Sequence, residues 1–288
     1  MSVPVGMRHL AAALALVLVG GSLAQADPPT DLGSPNCATP TTLSAIAAPL
    51  DRTASRIAAG KPLTIVAMGS SSTLGVGTTA PAMSYPSRLD EELRDRFPDT
   101  QIKVINHGVG GQDVPEELMR LERDVIAEHP DLVIWQVGTN AVLRRDDLSA
   151  DEQLIERGVA LLKASGIDLV LMDLQYAPRV LARPAAAEME RLIAQLAHHA
   201  HVGLFRRFEI MEQWDRTRQL APAALIGADG LHMTDASYGC LANQLAEALA
   251  WNWWSRSKMA KSPKRNPEAV ARIEGSIGTK SGGPLRER

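Results

Sequence analysis

The chain has 288 residues, of which 45% are hydrophobic, 22% charged and 4% aromatic, with a formal net charge of −3 at pH 7. This composition excludes collagen-like, low-complexity and wholly disordered chains, and so few aromatics argue against base-stacking nucleic-acid modules. The two cysteines, Cys37 and Cys240, are too few for a disulfide-rich scaffold or a cysteine-based zinc site.

Residues 1–26 run from a short segment bearing Arg8, through an apolar stretch at 10–19, to Ala24-Gln25-Ala26. Charge, apolar core and small residues in that order are the pattern of a secretory signal peptide cut near Ala26. The apolar stretch is well short of the ~20 residues that a bilayer-spanning helix needs. The sequence thus predicts a leader, export to the periplasm or the exterior, and no membrane-spanning segment. In an oxidising compartment Cys37 and Cys240 become candidates for one disulfide joining the N-terminal segment to the last helix, the alternative being two free buried thiols.

From residue 27 on, strand and helix alternate. A helical stretch at 41–59 precedes a nearly all-apolar run at 63–68, which reads as a strand buried on both faces. Similar runs recur at 102–106, 132–137, 169–174 and, more weakly, 202–205. Helical patterns fill 85–97, 115–128, 150–164 and 185–200, and a last helix covers 235–254. Ser149 and Glu152 have the spacing of a capping box at the start of the third of these interior helices. The alternation predicts one α/β domain, 27–254, around a mainly parallel five-stranded sheet.

Trp251-Asn252-Trp253-Trp254 ends the last helix. Trp251 is expected to pack on the body, while Trp253 and Trp254 stay open between packing, sugar stacking and membrane-interface roles. Residues 255–288 hold nine Lys or Arg against three Glu and read as a solvated basic tail. The body between leader and tail then carries 20 basic and 30 acidic residues, a charge of −10 that disfavours nucleic acid as a partner. The tail suggests a weak contact with an anionic envelope surface.

In open parallel sheets, ligands bind beyond the carboxyl ends of the strands. Gly69-Ser70-Ser71-Ser72-Thr73 follows the first strand and Asn106-His107-Gly108-Val109-Gly110-Gly111-Gln112 the second. Gly138-Thr139-Asn140-Ala141 follows the third, and Asp229-Gly230-Leu231-His232 precedes the last helix. A serine hydroxyl is a weak nucleophile that needs a base oriented by a third group. His232 suits the base, and Asp229, three residues earlier, suits the group that fixes its tautomer. A glycine-turn N–H and an asparagine amide can both donate to an oxyanion. Together the four segments predict an acyl-transfer site.

Other motifs carry less. Gly75-Val76-Gly77-Thr78-Thr79-Ala80 loosely fits a dinucleotide motif but runs into Pro81 rather than a helix. The G-x-S-x-G elbow is absent, since Thr73 fills its last position. His198, His199 and His201 read as a helix C-terminus rather than a metal site. Arg206 and Arg207 read as surface cations, with a substrate anion as the alternative. His107 and Asp113 line a pocket or belong to a solvated loop.

The four segments resemble the conserved blocks of the SGNH or GDSL hydrolases. Gly69-Ser70-Ser71-Ser72-Thr73 is similar to the Gly-Asp-Ser-Leu block and makes Ser71 the nucleophile, with Ser70 and Ser72 as rivals. Gly111 aligns with the oxyanion glycine, Asn140 with the asparagine of Gly-x-Asn-Asp, and Asp229 to His232 with Asp-x-x-His. The resemblance covers about 63–250. It implies a flavodoxin-like three-layer α/β/α fold and a metal-free, cofactor-independent serine esterase. The substrates it implies range from simple esters and lipids to acetylated carbohydrates. Ser71, Gly111 and Asn140 would donate to the oxyanion. Ser70 and Ala141 depart from the pattern where aspartates are usual. Two alternatives stand beside the esterase: an acyltransferase with a glycan acceptor, and a non-catalytic glycan-binding relative.

Overall fold

The computed structural model describes residues 37–144 and 148–261. The predicted leader, 1–26, and the predicted tail from 262 on lie outside the described residues. In chain order the elements are α1 (Thr41–Ser44), α2 (Asp51–Ala58), β1 (Leu63–Gly69), α3 (Ser71–Leu74), α4 (Tyr85–Arg96), β2 (Ile102–Gly108) and α5 (Val114–Arg120). Then follow β3 (Leu132–Gln136), α6 (Thr139–Arg144), α7 (Ser149–Ala164), β4 (Asp168–Met172), α8 (Pro178–Leu181) and α9 (Ala186–Ala200). β5 (Gly203–Phe205), α10 (Arg207–Arg216), α11 (Pro222–Leu225) and α12 (Asp235–Lys261) complete the fold.

All five strands are parallel, in the order β2-β1-β3-β4-β5. Every residue of β3 is buried, as expected of a strand covered on both faces. Helices α2, α4 and α12 pack together as one layer, and α5, α7 and α9 pack together as the other. The strand order reverses between β1 and β3, which flank each other at the point where ligands bind in doubly wound sheets. The paired ends Gly69 and Gly108 bring the exits of β1 and β2 side by side.

Several boundaries differ from the sequence reading. The stretch 41–59 is two helices, because Pro49 has no N–H for a continuous helix. The buried Asn252 side chain takes up the freed groups, donating to the Ile46 and Ala48 carbonyls at 2.9 Å each and accepting from Leu50 N–H at 3.3 Å. The stretch 115–128 is helical only to Arg120, followed by a π turn at Leu121–Val125 and a 3-10 turn at Ile126–Glu128. The N-cap of α7 is Leu148 rather than Ser149. A capping box does form, at Asp113 and Glu116 of α5. Helix α12 runs past the expected end at Trp254 to Lys261, since 255–261 contains neither Gly nor Pro and the first proline is Pro263.

Cys37 and Cys240 form a disulfide across 203 residues, with Cα atoms 5.5 Å apart. It fixes the start of the described chain to α12. Trp214 of α10 donates to the Cys37 carbonyl at 3.1 Å beside it.

Candidate active site

Ser71 is the first residue of α3, directly beyond β1. Its Oγ lies 2.9 Å from His232 Nε2, and His232 Nδ1 lies 2.5 Å from Asp229 Oδ2. The other Asp229 oxygen accepts from the N–H groups of Leu231 and His232, each at 2.9 Å, so the carboxylate organises the loop that carries its own partner. Partial burial pushes the Asp229 carboxyl up. The hydrogen bonds from the His232 ring and from the two backbone N–H groups outweigh it and hold the pKa at about 2. Asp229 is therefore anionic at neutral pH and able to keep a proton on His232 Nδ1.

The loop is closed on itself by Gly227 N–H to the His232 carbonyl at 2.8 Å and Gly230 N–H to the Gly227 carbonyl at 3.0 Å. From the other side it meets the loop after α3. A side chain at Gly77 would collide with the backbone of Met233 and stand 3.0 Å from His232 Cβ, and the residue has φ +97°. Gly77 thus serves a close approach to the histidine loop.

Asn140 stands in the first turn of α6, beyond β3. Its Nδ2 donates to the Gln112 carbonyl at 2.6 Å, which puts it against the turn that contains Gly111. That turn hangs beside β1, with Val109 N–H donating to the Gly69 carbonyl at 3.0 Å. The buried Arg120 guanidinium joins the same parts, with Nε 2.6 Å from Gln112 Oε1 and Nη2 3.2 Å from the Gly69 carbonyl. Arg144, one turn after Asn140, donates to the Gly111 carbonyl. Among the described residues no group accepts from the N–H of Ser71 or Gly111. Gly138, between β3 and Asn140, has φ +90°, and a side chain there would meet Met189 and Leu174 within 3 Å.

The neighbouring serines are spent elsewhere. Ser70 and Ser72 are buried, and Gln136 at the end of β3 holds both. Its Oε1 accepts from Ser70 N–H at 3.1 Å, Ser70 Oγ at 3.0 Å and Ser72 Oγ at 3.0 Å. Behind them Arg207, fully buried, donates from Nη1 to Ser72 Oγ at 3.0 Å and from Nη2 to the Asp173 carbonyl at 2.5 Å. Burial works against its charge, and the nearby Asp173 carboxylate supports it. Asp173 is hydrogen-bonded to Glu190 of α9, and burial followed by the charge of Asp173 pushes Glu190 strongly up. The pair therefore holds one shared proton at neutral pH. On the opposite flank, burial pushes Glu117 up to about 7, while Trp135 Nε1 donates to it at 2.7 Å.

Ser71, His232 and Asp229 are thus brought into contact, and Asn140 is held to the turn that contains Gly111 through the Gln112 carbonyl. Other candidates stand apart. His107 faces Glu128 at 3.7 Å, Asp113 is the buried N-cap of α5, and Arg206 is exposed beside β5. Arg207 is neither a surface cation nor a ligand for an outside anion. His198 and His199 pack edge to face at the end of α9, and among the described residues no group of His, Cys, Asp or Glu is placed to hold a metal ion. Trp251, expected to pack on the body, is 57% exposed, whereas Trp253 packs on Phe97. Gln136 and Arg120 were missed, and Arg207, expected at the surface, is buried. Gln136 had a signal, a polar residue closing an otherwise apolar strand; an arginine pair after a short strand has none.

A five-stranded parallel sheet in this order, with a Ser-His-Asp contact at its β1 end, defines an SGNH/GDSL-like hydrolase fold. The chain belongs to the non-GDSL lipase-like family, whose model matches residues 36–252. It is similar to an arylesterase of Vibrio mimicus, 28% identical over 125 residues, which are 43% of this chain and 61% of that protein. It is also similar to an acetylxylan esterase of Geobacillus stearothermophilus, 36% identical over 80 residues, 28% of this chain and 33% of the relative. Both alignments span less than two thirds of the relative. Among solved structures, an acetylxylan esterase of G. stearothermophilus superposes with a TM-score of 0.54 at 24% identity, covering 66% of this chain and 95% of that one. A two-domain esterase active on acetylated mannans gives 0.59 at 20% identity, covering 77% and 57%. A putative G-D-S-L family lipolytic protein of Desulfitobacterium hafniense gives 0.55 at 19%, covering 64% and 98%. These likenesses show the fold.

Proposed function

We propose that this protein is a carboxylic ester hydrolase acting on O-acetyl or short acyl groups, with acetylated carbohydrate as the favoured substrate class. The observation that carries this reading is the unbroken contact Ser71 Oγ to His232 Nε2 to Asp229 at 2.9 and 2.5 Å. Ser71 attacks the ester carbonyl as His232 takes its proton and Asp229 stabilises the imidazolium. The N–H groups of Ser71 and Gly111 and the Asn140 amide receive the oxyanion, each donor worth roughly 10²–10³ in rate. His232 returns the proton to the departing alcohol. Water activated by the same histidine then releases the acyl group from Ser71. The names of the curated relatives, an arylesterase and an acetylxylan esterase, support the choice of ester and sugar. We further propose that the chain is exported and that residues 1–26 are removed.

The test is hydrolysis of a short nitrophenyl ester, together with labelling by a fluorophosphonate. Ser71→Ala is expected to lower turnover by at least about 10³-fold and to abolish labelling, with the melting temperature unchanged. Turnover that survives the substitution refutes the assignment. An unreactive wild-type serine would instead indicate a glycan-binding relative without catalysis.

A further inference from the structure

Arg120 closes α5 and is 4% exposed, yet no step of the proposed reaction uses it. A buried guanidinium gives up the water on its N–H donors and persists only where fixed acceptors replace it. Here the acceptors belong to two separate segments of the site. Nη2 donates at 3.2 Å to the Gly69 carbonyl, two residues before Ser71. Nε donates at 2.6 Å to the Gln112 side chain, on the residue after Gly111. Nη1 faces Asp124 Oδ2 at 3.8 Å. Burial works against the charge, and Glu117 one turn earlier and Asp124 one turn later support it. Glu117 in turn accepts from Trp135 Nε1 at 2.7 Å, so α5 is pinned to β3 where the guanidinium leaves it.

We infer that Arg120 is the positioning residue of the oxyanion donors, setting the spacing between the Ser71 and Gly111 amides. The inference rests on the proposed reaction. The three proposed donors leave three different strands, Ser71 after β1, Gly111 after β2 and Asn140 after β3, so their spacing depends on what links the exits. Val109 to Gln112 is a turn closed by a long bond, Gln112 N–H to the Val109 carbonyl at 3.3 Å, with Gly111 at φ +77°. Its two central residues are glycines, which leave the backbone freer than any side chain would. At one end of the turn Val109 N–H donates to the Gly69 carbonyl at 3.0 Å. That carbonyl also takes Arg120 Nη2, while Arg120 Nε holds Gln112 at the other end. One rigid, planar fork therefore spans the turn and ties it to the serine segment. Asn140 joins through the same residue, its Nδ2 donating to the Gln112 carbonyl at 2.6 Å. Oxyanion donors act on the transition state more than on the bound ester. An error in their spacing therefore lowers kcat and leaves KM little changed.

The experiment uses the full chain, with nitrophenyl acetate as substrate and a phenylboronic acid as the probe of the tetrahedral state. The boron accepts a lone pair from the serine oxygen and becomes a tetrahedral anion. Fluorophosphonate labelling carried to completion counts the competent sites, and kcat is expressed per labelled site. Gln112→Ala removes one acceptor and keeps the cation; Arg120→Met removes the cation. Gln112→Ala should lower kcat about tenfold and Arg120→Met about 10- to 100-fold, with KM changed less than about twofold. Boronate affinity should weaken in step with kcat/KM. The double variant should be no slower than Arg120→Met alone, because both changes break one bond. Unchanged kcat per labelled site, an effect confined to KM, boronate affinity that does not follow, or losses that multiply in the double variant overturns the inference. Should Arg120→Met not fold, kcat and boronate affinity of Gln112→Ala decide alone. A wild-type chain that neither turns over the ester nor labels overturns the proposed reaction itself, a failure distinct from an active wild type with indifferent variants.

Discussion

Ser71 sits between two serines that differ from it in what they are bonded to. Ser70 and Ser72 are committed to Gln136, and Ser72 also to Arg207, while Ser71 faces His232. On the proposed reaction the fully buried Arg207 is expected to be a positioning residue, since it holds Ser72 of the same turn. Arg207→Met should leave Ser72 and the Asp173 carbonyl without their cation and let the turn shift. A displacement on the order of 1 Å costs about 10²-fold in such sites, so kcat should fall about 10- to 100-fold with KM little changed, and Ser72→Ala should fall several-fold in the same direction. Steady-state kinetics on the folded variants decide between this and a purely structural role, which would lower the active fraction without changing the kcat of what remains. The contact of Ser71, His232 and Asp229 was legible because the sequence sets a serine just past a strand and an Asp-x-x-His segment before the last helix. Arg207 was not, since nothing local distinguishes a buried cation from a solvated one.

At the scale of elements, the strands were the most readable, because burial on both faces leaves a continuous apolar run. Helix α10 was overlooked for a related reason. Its inward face is Arg207, Ile210, Met211 and Trp214, and an arginine at the first of these positions breaks the amphipathic pattern. Helix α9 is joined to the end of β4 by the Glu190–Asp173 pair. Glu190 and Glu117 are both raised in the folded state. The folded protein thus holds protons that the unfolded chain releases above the usual glutamate value of 4.5, and stability must fall as pH rises from there through neutrality. One such group changes stability by about 1.4 kcal/mol per pH unit. Glu190→Gln should flatten the decline of Tm by roughly 3 °C per pH unit, measured by thermal melting between mildly acid and mildly alkaline buffer. A variant as steep as the wild type would remove Glu190 from the account.

For the whole molecule, the sheet and the acidic body followed from the alternation of patterns and from the charge sum. The break at Pro49 and the continuation of α12 to Lys261 depended on long-range contacts such as those of Asn252. The disulfide closes nearly the whole described chain, and loop-closure entropy makes such a link worth about 2–5 kcal/mol. Replacing Cys37 and Cys240 together by Ser should lower Tm by about 5–15 °C, seen by calorimetry, and reductant should reproduce the loss in the wild type.

Ser71 and His232 are separated by 161 residues, and among the described residues α12 is the element that follows the histidine loop. A chain emerging from the ribosome therefore presents Ser71 long before the histidine that meets it. On the proposed reaction, the nascent protein stays inert toward esters until that histidine loop is in place. Recovery of activity during refolding should accordingly be the last signal to return, after the sheet has formed.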